Sequence, residues 1–400
     1  MSAYLTDCPL CDAAPIVSSP CYLHDYRKDL NKSMPKHILM IANTYFQIIF
    51  AFQLKNTMFW NDDVTLLISD HSKDAECIAE RTKQTQFFTD VLFIRTTGSK
   101  DIRTWKEKLE DFFSISFRET NRYQYYLKDL GDTAFDELIV FNYSIETYGV
   151  YAILCQRNPD IRVSRFEEGI ISYDAVVMNT VRRKLINGLR RLQKKSAVSD
   201  ALHNFYCFFP DVYKGELHPC GIELIRRDSK VIPLLKQAFD VVDDNLRYNA
   251  DYIFFTSVYD FEGGVSIGEY ELVCRIAELV GKENMIIKTH PRDRRTIYEE
   301  NGFRLDKNLG IPWEIVLLCA DFSGKVIFTV NSTSVISSSL LSSDAIKGYY
   351  LYKLCDLSGN PTAMKTTDTI CRLLNNPKLR TKLKNITDVE HMDQIKEGLK

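Results

Sequence analysis

From Lys36 onward, short β-branched apolar runs alternate with longer segments of mixed polarity. This is the pattern of parallel strands joined by crossover helices. HILMIAN (37–43), VTLLIS (64–69), VLFIR (91–95), ELIVFN (137–142) and IRVSRFEEG (161–169) read as strands. Helical spacing fills the gaps, as in YFQIIFAFQLKN after the first strand and AECIAERTKQTQFF after the second. A second series begins with DYIFFTS (251–257) and continues through NMIIKTH (284–290), KVIFTV (325–330) and KGYYLYKL (347–354), with EYELVCRIAELVG and PWEIVLLCA as helices between them. The expected fold class is therefore α/β, with two Rossmann-like domains facing a central cleft. Residues 34–170 would form the first domain and 251–365 the second. Residues 171–250 are expected to be a helical connection, and 366–400 to be C-terminal helices packing back across the cleft.

Composition narrows the class. The chain has 400 residues, 45% apolar and 26% charged, enough for two ordinary cores. Its formal net charge of -2, with basic residues mostly dispersed, argues against nucleic acid as a partner. No apolar stretch reaches the roughly 18 to 20 residues that span a bilayer, and the amino terminus lacks the order of a secretory signal. A cytoplasmic protein is expected. Of 11 cysteines, eight lie scattered without paired spacing, as reduced core thiols do.

Chemistry gathers at predicted strand ends, where ligands bind in open α/β sheets. Glu167 and Glu168 close one strand ahead of Gly169. His290 closes another, and Pro291 turns the chain after it. Ser332, Thr333 and Ser334 follow a third, at the expected start of a helix, where hydroxyls and free N–H groups suit an anion. Each cluster has a plainer explanation: a solvated turn, a structural corner and a helix cap. Asn43 and Thr44 end the first strand and could contact an acceptor, and Arg292 could pair with an anion; caps or surface groups would serve equally.

The ordered set of an acidic-acidic-glycine motif, a His-Pro motif and a Ser/Thr motif resembles that of bacterial sialyltransferases. KHILMIANTYFQIIFAFQLK looks most like glycosyltransferase family 52, the lipooligosaccharide and capsule sialyltransferases, with the polysialyltransferases as more distant relatives; the resemblance covers about residues 36–355. It implies a GT-B-type fold, with 34–170 as the acceptor-side domain and 251–365 as the nucleotide-sugar domain, and metal-independent, inverting transfer of sialic acid from CMP-sialic acid to a galactose-type hydroxyl of a surface glycan. It also implies a general base in Glu167-Glu168, a donor-phosphate contact at His290, with Pro291 and Arg292 beside it, and an anion site at Ser332–Ser334. The acidic pair is Glu-Glu where the family pattern contains aspartate, so which carboxylate is the base stays open. In some family members the proposed base lies shortly before the His-Pro motif, which makes Asp260 or Glu262 a rival.

Metal is not expected to serve catalysis: no Asp-x-Asp pair ends a strand, and VVDDN (241–245) lies in a polar stretch. Residues 1–33 differ in composition. Their Cys8, Cys11, Cys21 and His24 have spacing that could hold a structural zinc, while Met34 could instead open the first domain after a dispensable extension. Residues 181–196, VRRKLINGLRRLQKKS, place basic side chains beside Val181, Leu185, Leu189 and Leu192 at helical spacing. They suit either an anionic membrane surface on the inner face of the cell membrane or a solvated linker helix. A homodimer is left open. The rivals to the sialyltransferase reading are a transferase of the same fold with another nucleotide-sugar donor and a non-catalytic nucleotide- or glycan-binding protein.

Overall fold

The computed structural model describes residues 34–72, 74–96, 104–118, 120–173, 181–242, 248–260, 265–290, 293, 295–306, 311–341 and 346–399. Met1–Lys36 and His37–Lys400 are separate units; the described part of the first, 34–36, carries no helix or strand.

Within His37–Lys400 two all-parallel sheets form. The first contains β1 (His37–Ala42), β2 (Asp63–Ser69), β3 (Asp90–Ile94), β4 (Glu137–Val140), β5 (Arg162–Phe166), β6 (Leu202–Cys207) and β7 (His218–Gly221), in the order β3-β2-β1-β4-β5-β6-β7. The second contains β8 (Tyr252–Phe255), β9 (Met285–Lys288), β10 (Arg304–Leu305), β11 (Val326–Thr329), β12 (Lys347–Tyr350) and β13 (Ile386–Asp388), in the order β10-β9-β8-β11-β12-β13. This is the pair of Rossmann-like domains expected, and each sheet reverses direction of growth at one point: between β1 and β4, and between β8 and β11. Crevices for ligands open at such points, beyond the carboxyl ends of the strands.

The central strands β1, β2, β8, β9 and β11 are mostly apolar because helices cover both faces. In β1, Ile38, Met40 and Ala42 enter one core and Leu39 and Ile41 the other. The Tyr45–Thr57 helix starts at Thr44, whose hydroxyl accepts from the Gln47 N–H, and every residue from Gln47 to Leu54 is buried.

Two expected boundaries need correction. The stretch 171–250 is not a purely helical connection, because β6 and β7 extend the first sheet past β5. The last 35 residues are not all helical either: β13 pairs with β12 at the edge of the second sheet. The Val231–Ala238 helix does connect the halves, packing on the Tyr45–Thr57 and Ala75–Gln84 helices on one side and Trp313–Cys319 on the other. The C-terminal segment reaches back too: Lys378 Nζ donates to the Asp211 carbonyl (2.9 Å), and Lys382 Nζ lies 4.6 Å from the Phe209 ring centroid.

Candidate active site

β1, β4 and β5 are neighbours, so their carboxyl ends place Asn43, Thr44, Glu167 and Glu168 on one edge. The two glutamates diverge there. Glu167 is buried; its carboxylate accepts from the Tyr173 hydroxyl and from the Phe208 N–H (2.9 Å), and the Phe209 N–H in turn donates to the Tyr173 oxygen (2.9 Å). It thus ties the end of β5 to the end of β6, and burial pushes its pKa up to about 7. Glu168 is only partly buried. Its own N–H donates to Ser172 Oγ (2.7 Å), and its carboxylate accepts from the Thr44 hydroxyl and the Gln47 side-chain amide. Burial raises its pKa, and those two donors oppose the rise. A carboxylate with its pKa raised and one edge open is equipped to take a proton from an alcohol.

β9, β8 and β11 are likewise adjacent, which brings His290 and Ser332–Ser334 to one edge of the second sheet. The His290 N–H donates to Thr256 Oγ1 (3.0 Å), fixing the residue across the ends of β9 and β8, and His290 is partly exposed. After β11, the Thr329 hydroxyl accepts from the Ser332 N–H (3.1 Å) and the Tyr350 hydroxyl donates to the Ser332 carbonyl (2.8 Å). The Ser332 hydroxyl donates to Ser334 Oγ (3.0 Å), the first residue of the Ser334–Leu341 helix. This turn is held rigid by its neighbours while Ser332, Thr333 and Ser334 all stay partly exposed.

The rival carboxylate Asp260 is spoken for. Its Oδ1 accepts from the Ile267 N–H (2.7 Å) and the Ser266 hydroxyl (3.2 Å), and Oδ2 lies 4.0 Å from Arg295 Nη1. It closes the loop after β8. Pro291, Arg292, Glu262, Asp243, Asp244 and the Cys8, Cys11, Cys21 and His24 set lie outside the described residues. Among the described residues, no group of three or more His, Cys, Asp or Glu side chains could hold a metal ion.

Sequence reasoning missed two residues. His71, just beyond β2, has Nδ1 within 2.9 Å of Ser69 Oγ and 3.1 Å of Thr96 Oγ1. Those hydroxyls donate to Asn43 Oδ1 (2.7 Å) and Asp70 Oδ1 (2.8 Å), which leaves His71 Nδ1 as the donor and links the histidine to Asn43. A polar residue just past a strand was the available signal. Arg165 is fully buried on β5 and lies 5.4 to 6.0 Å from the Phe141, Tyr143 and Phe205 ring centroids, with Nε donating to the Phe141 carbonyl (2.8 Å). Nothing in the sequence separates this arginine from a surface one.

The two halves pack together where Phe46, Ile49, Phe50, Phe208 and Ile225 meet Glu314, Leu318 and Leu341. On the first-half side Phe50 stacks on Phe166 (5.5 Å) and meets Phe208 (5.0 Å), which ties this packing to the ends of β5 and β6.

Residues 38–350 match the family described as Alpha-2,8-polysialyltransferase (POLYST). No curated protein is similar enough in sequence to count as a relative. Among solved structures, an alpha/beta-galactoside alpha-2,3-sialyltransferase from the luminous marine bacterium Photobacterium phosphoreum aligns over 89% of this chain and 99% of its own, at 9% identity and TM-score 0.48. The 2,6-sialyltransferase of Vibrionaceae Photobacterium sp. JT-ISH-224, in a ternary complex with CMP and lactose, aligns over 88% and 78%, at 11% identity and TM-score 0.41. UDP-GlcNAc 2-epimerase from Neisseria meningitidis, bound to UDP-GlcNAc, aligns over 91% and 99%, at 13% identity and TM-score 0.41. These are likenesses of fold.

Proposed function

Since this chain belongs to the alpha-2,8-polysialyltransferase family of glycosyltransferases, we propose that it transfers sialic acid from CMP-sialic acid to a galactose-type hydroxyl of a bacterial surface glycan, lipooligosaccharide or capsule. Transfer inverts the anomeric centre and needs no metal. The observation that carries this reading is the partition at the end of β5: Glu167 is consumed internally, and Glu168 is held at the edge by Thr44 and Gln47.

In this reaction Glu168 takes the proton of the acceptor alcohol while its oxygen bonds to the anomeric carbon. The bond from that carbon to phosphate breaks, and CMP leaves as a phosphate monoester. His290 meets the donor phosphate, and the hydroxyls of the Ser332–Ser334 turn hold phosphate or the sialic carboxylate; Arg292 is a further anion partner. Asn43, steadied by Ser69, and Thr44 meet the acceptor. The enzyme works at the cytoplasmic face, with residues 181–196 toward an anionic membrane.

The donor is tested by incubating the protein with CMP-sialic acid or with UDP-sugars, each with lactose, and identifying the nucleotide released. CMP release coupled to a sialylated product is expected. UDP release would assign another donor to the same scaffold, and CMP binding without turnover would make the protein a binding module.

A further inference from the structure

Two neighbouring helices on one face of the first half leave apolar stripes in solvent. On Trp105–Phe117, the exposed apolar residues are Trp105, Leu109, Phe113 and Phe117, one every fourth position; Trp105 is 67% and Phe113 48% exposed. On Val181–Leu192, Val181 and Leu192 are 81% and 82% exposed and Leu185 is exposed as well, while Ile186, Asn187 and Arg190 face the core. The helices run side by side in one direction. Arg182 Nη2 donates to the Lys108 carbonyl (3.0 Å), Arg190 Nη1 to that of Ile115 (2.9 Å), Gln193 Nε2 to that of Ser116 (2.8 Å) and Lys195 Nζ to that of Phe117 (3.0 Å). Side chains from one helix thus stitch it to the other, and no helix or strand among the described residues covers the apolar stripes.

The rim of this surface is basic. Residues 104–118 and 181–196 carry ten Lys and Arg against three acidic residues, in a chain whose formal net charge is -2; Arg190 is buried and Arg191 pairs with Asp200, which leaves eight on the rim. All three acids are engaged. Glu107 caps its own helix at the Thr104 N–H (2.7 Å), Glu110 pairs with Arg118, and Asp111 lies 3.8 Å from Arg122. Contiguous exposed apolar area is uncommon on a soluble surface, and a basic rim selects what covers it. A second copy on the same face would set two basic rims against each other. Nucleic acid would leave the apolar stripe unused.

We propose that the joined faces of Trp105–Phe117 and Val181–Leu192 dock on an anionic phospholipid surface, with Trp105, Phe113, Phe117, Val181 and Leu192 entering the headgroup boundary and the lysines and arginines on lipid phosphates. This surface deepens the membrane placement of residues 181–196 in the reading above and rests on it for its role, whereas lipid binding itself is measured without any sugar transfer.

The test is cosedimentation of the full chain with phosphatidylcholine vesicles and with vesicles that also contain phosphatidylglycerol. A Trp60→Phe background lets Trp105 fluorescence report insertion beside the buried Trp313. Binding to the anionic vesicles with a blue-shifted Trp105 is expected, and it weakens with added salt. Replacing Arg183, Lys184 and Lys194 together by Gln should weaken it on the order of a hundredfold, about fivefold per basic side chain. Phe113→Ser with Leu192→Ser should weaken it and abolish the blue shift. Both variants should keep wild-type transfer to soluble lactose. No sedimentation, equal binding to phosphatidylcholine alone, or a dimer that these variants dissolve would overturn the proposal. Vesicle binding by a wild type that transfers nothing to lactose would leave the surface standing and remove the transferase reading instead.

Discussion

Glu167 and Glu168 are adjacent and chemically identical, yet one accepts from the Tyr173 hydroxyl and the Phe208 N–H inside the fold and the other meets Thr44 and Gln47 at its edge. Glu168→Gln is expected to cut kcat about 10²- to 10⁴-fold, the usual contribution of a positioned base. Glu167→Gln keeps an oxygen for both donors and should leave kcat within a few-fold. Its effect belongs to stability. With its pKa pushed from 4.5 up to about 7, the folded protein holds a proton that the unfolded chain has released. That contribution is complete below the ordinary glutamate range and is lost as pH rises through 7, at roughly 1.4 kcal/mol per pH unit. Melting profiles should therefore fall for the wild type from about pH 5 to about pH 8 and run flatter for Glu167→Gln. Thr44→Val removes a donor that lowers the Glu168 pKa, so the acid limb of its kcat/KM profile should move to higher pH, with about 1 kcal/mol lost from the helix cap. The acidic pair was legible in the sequence as a strand end. The choice within it was not, because Tyr173, Phe208 and Gln47 are brought to it by folding.

At the scale of elements, legibility followed burial. Of the nine strands read from the sequence, eight lie inside the sheets, where both faces are covered, and β3 stands at an edge with a five-residue apolar stretch of its own. Those missed carry little such signal: β10 and β13 are two- and three-residue edges, and β7 contains Pro219, which only an edge strand tolerates. In β6, His203 and Asn204 break the apolar run, although the Asn204 N–H is satisfied by Ser164 Oγ (3.1 Å). The Ser332–Ser334 turn depends on a comparably hidden feature. A Cβ on Gly348 of β12 would sit 2.4 Å from Val335 Cγ1, on the helix that this turn begins. Gly348→Ala should cost about 1 to 3 kcal/mol from overpacking and, by displacing the turn, raise the KM for donor more than that for acceptor. Thermal melts and separate donor and acceptor titrations would read the two effects.

Across the whole molecule, one strand order occurs twice, and each copy sets its functional candidates beyond the carboxyl ends beside its own reversal point. The acidic pair thus ends a strand of the first half, while His290 and the Ser/Thr turn end strands of the second, so motifs far apart in sequence share one kind of position, and their order carried more than each alone. The family match over residues 38–350 spans both halves. In the proposed reaction Glu168 acts as base and His290 holds the donor phosphate, with no metal. The most direct test measures CMP release from CMP-sialic acid with lactose in EDTA, for wild type, Glu168→Gln and His290→Ala. Release by the wild type is expected, lost in His290→Ala and reduced at least 10²-fold in Glu168→Gln; undiminished release by Glu168→Gln, or none from the wild type, would overturn the assignment.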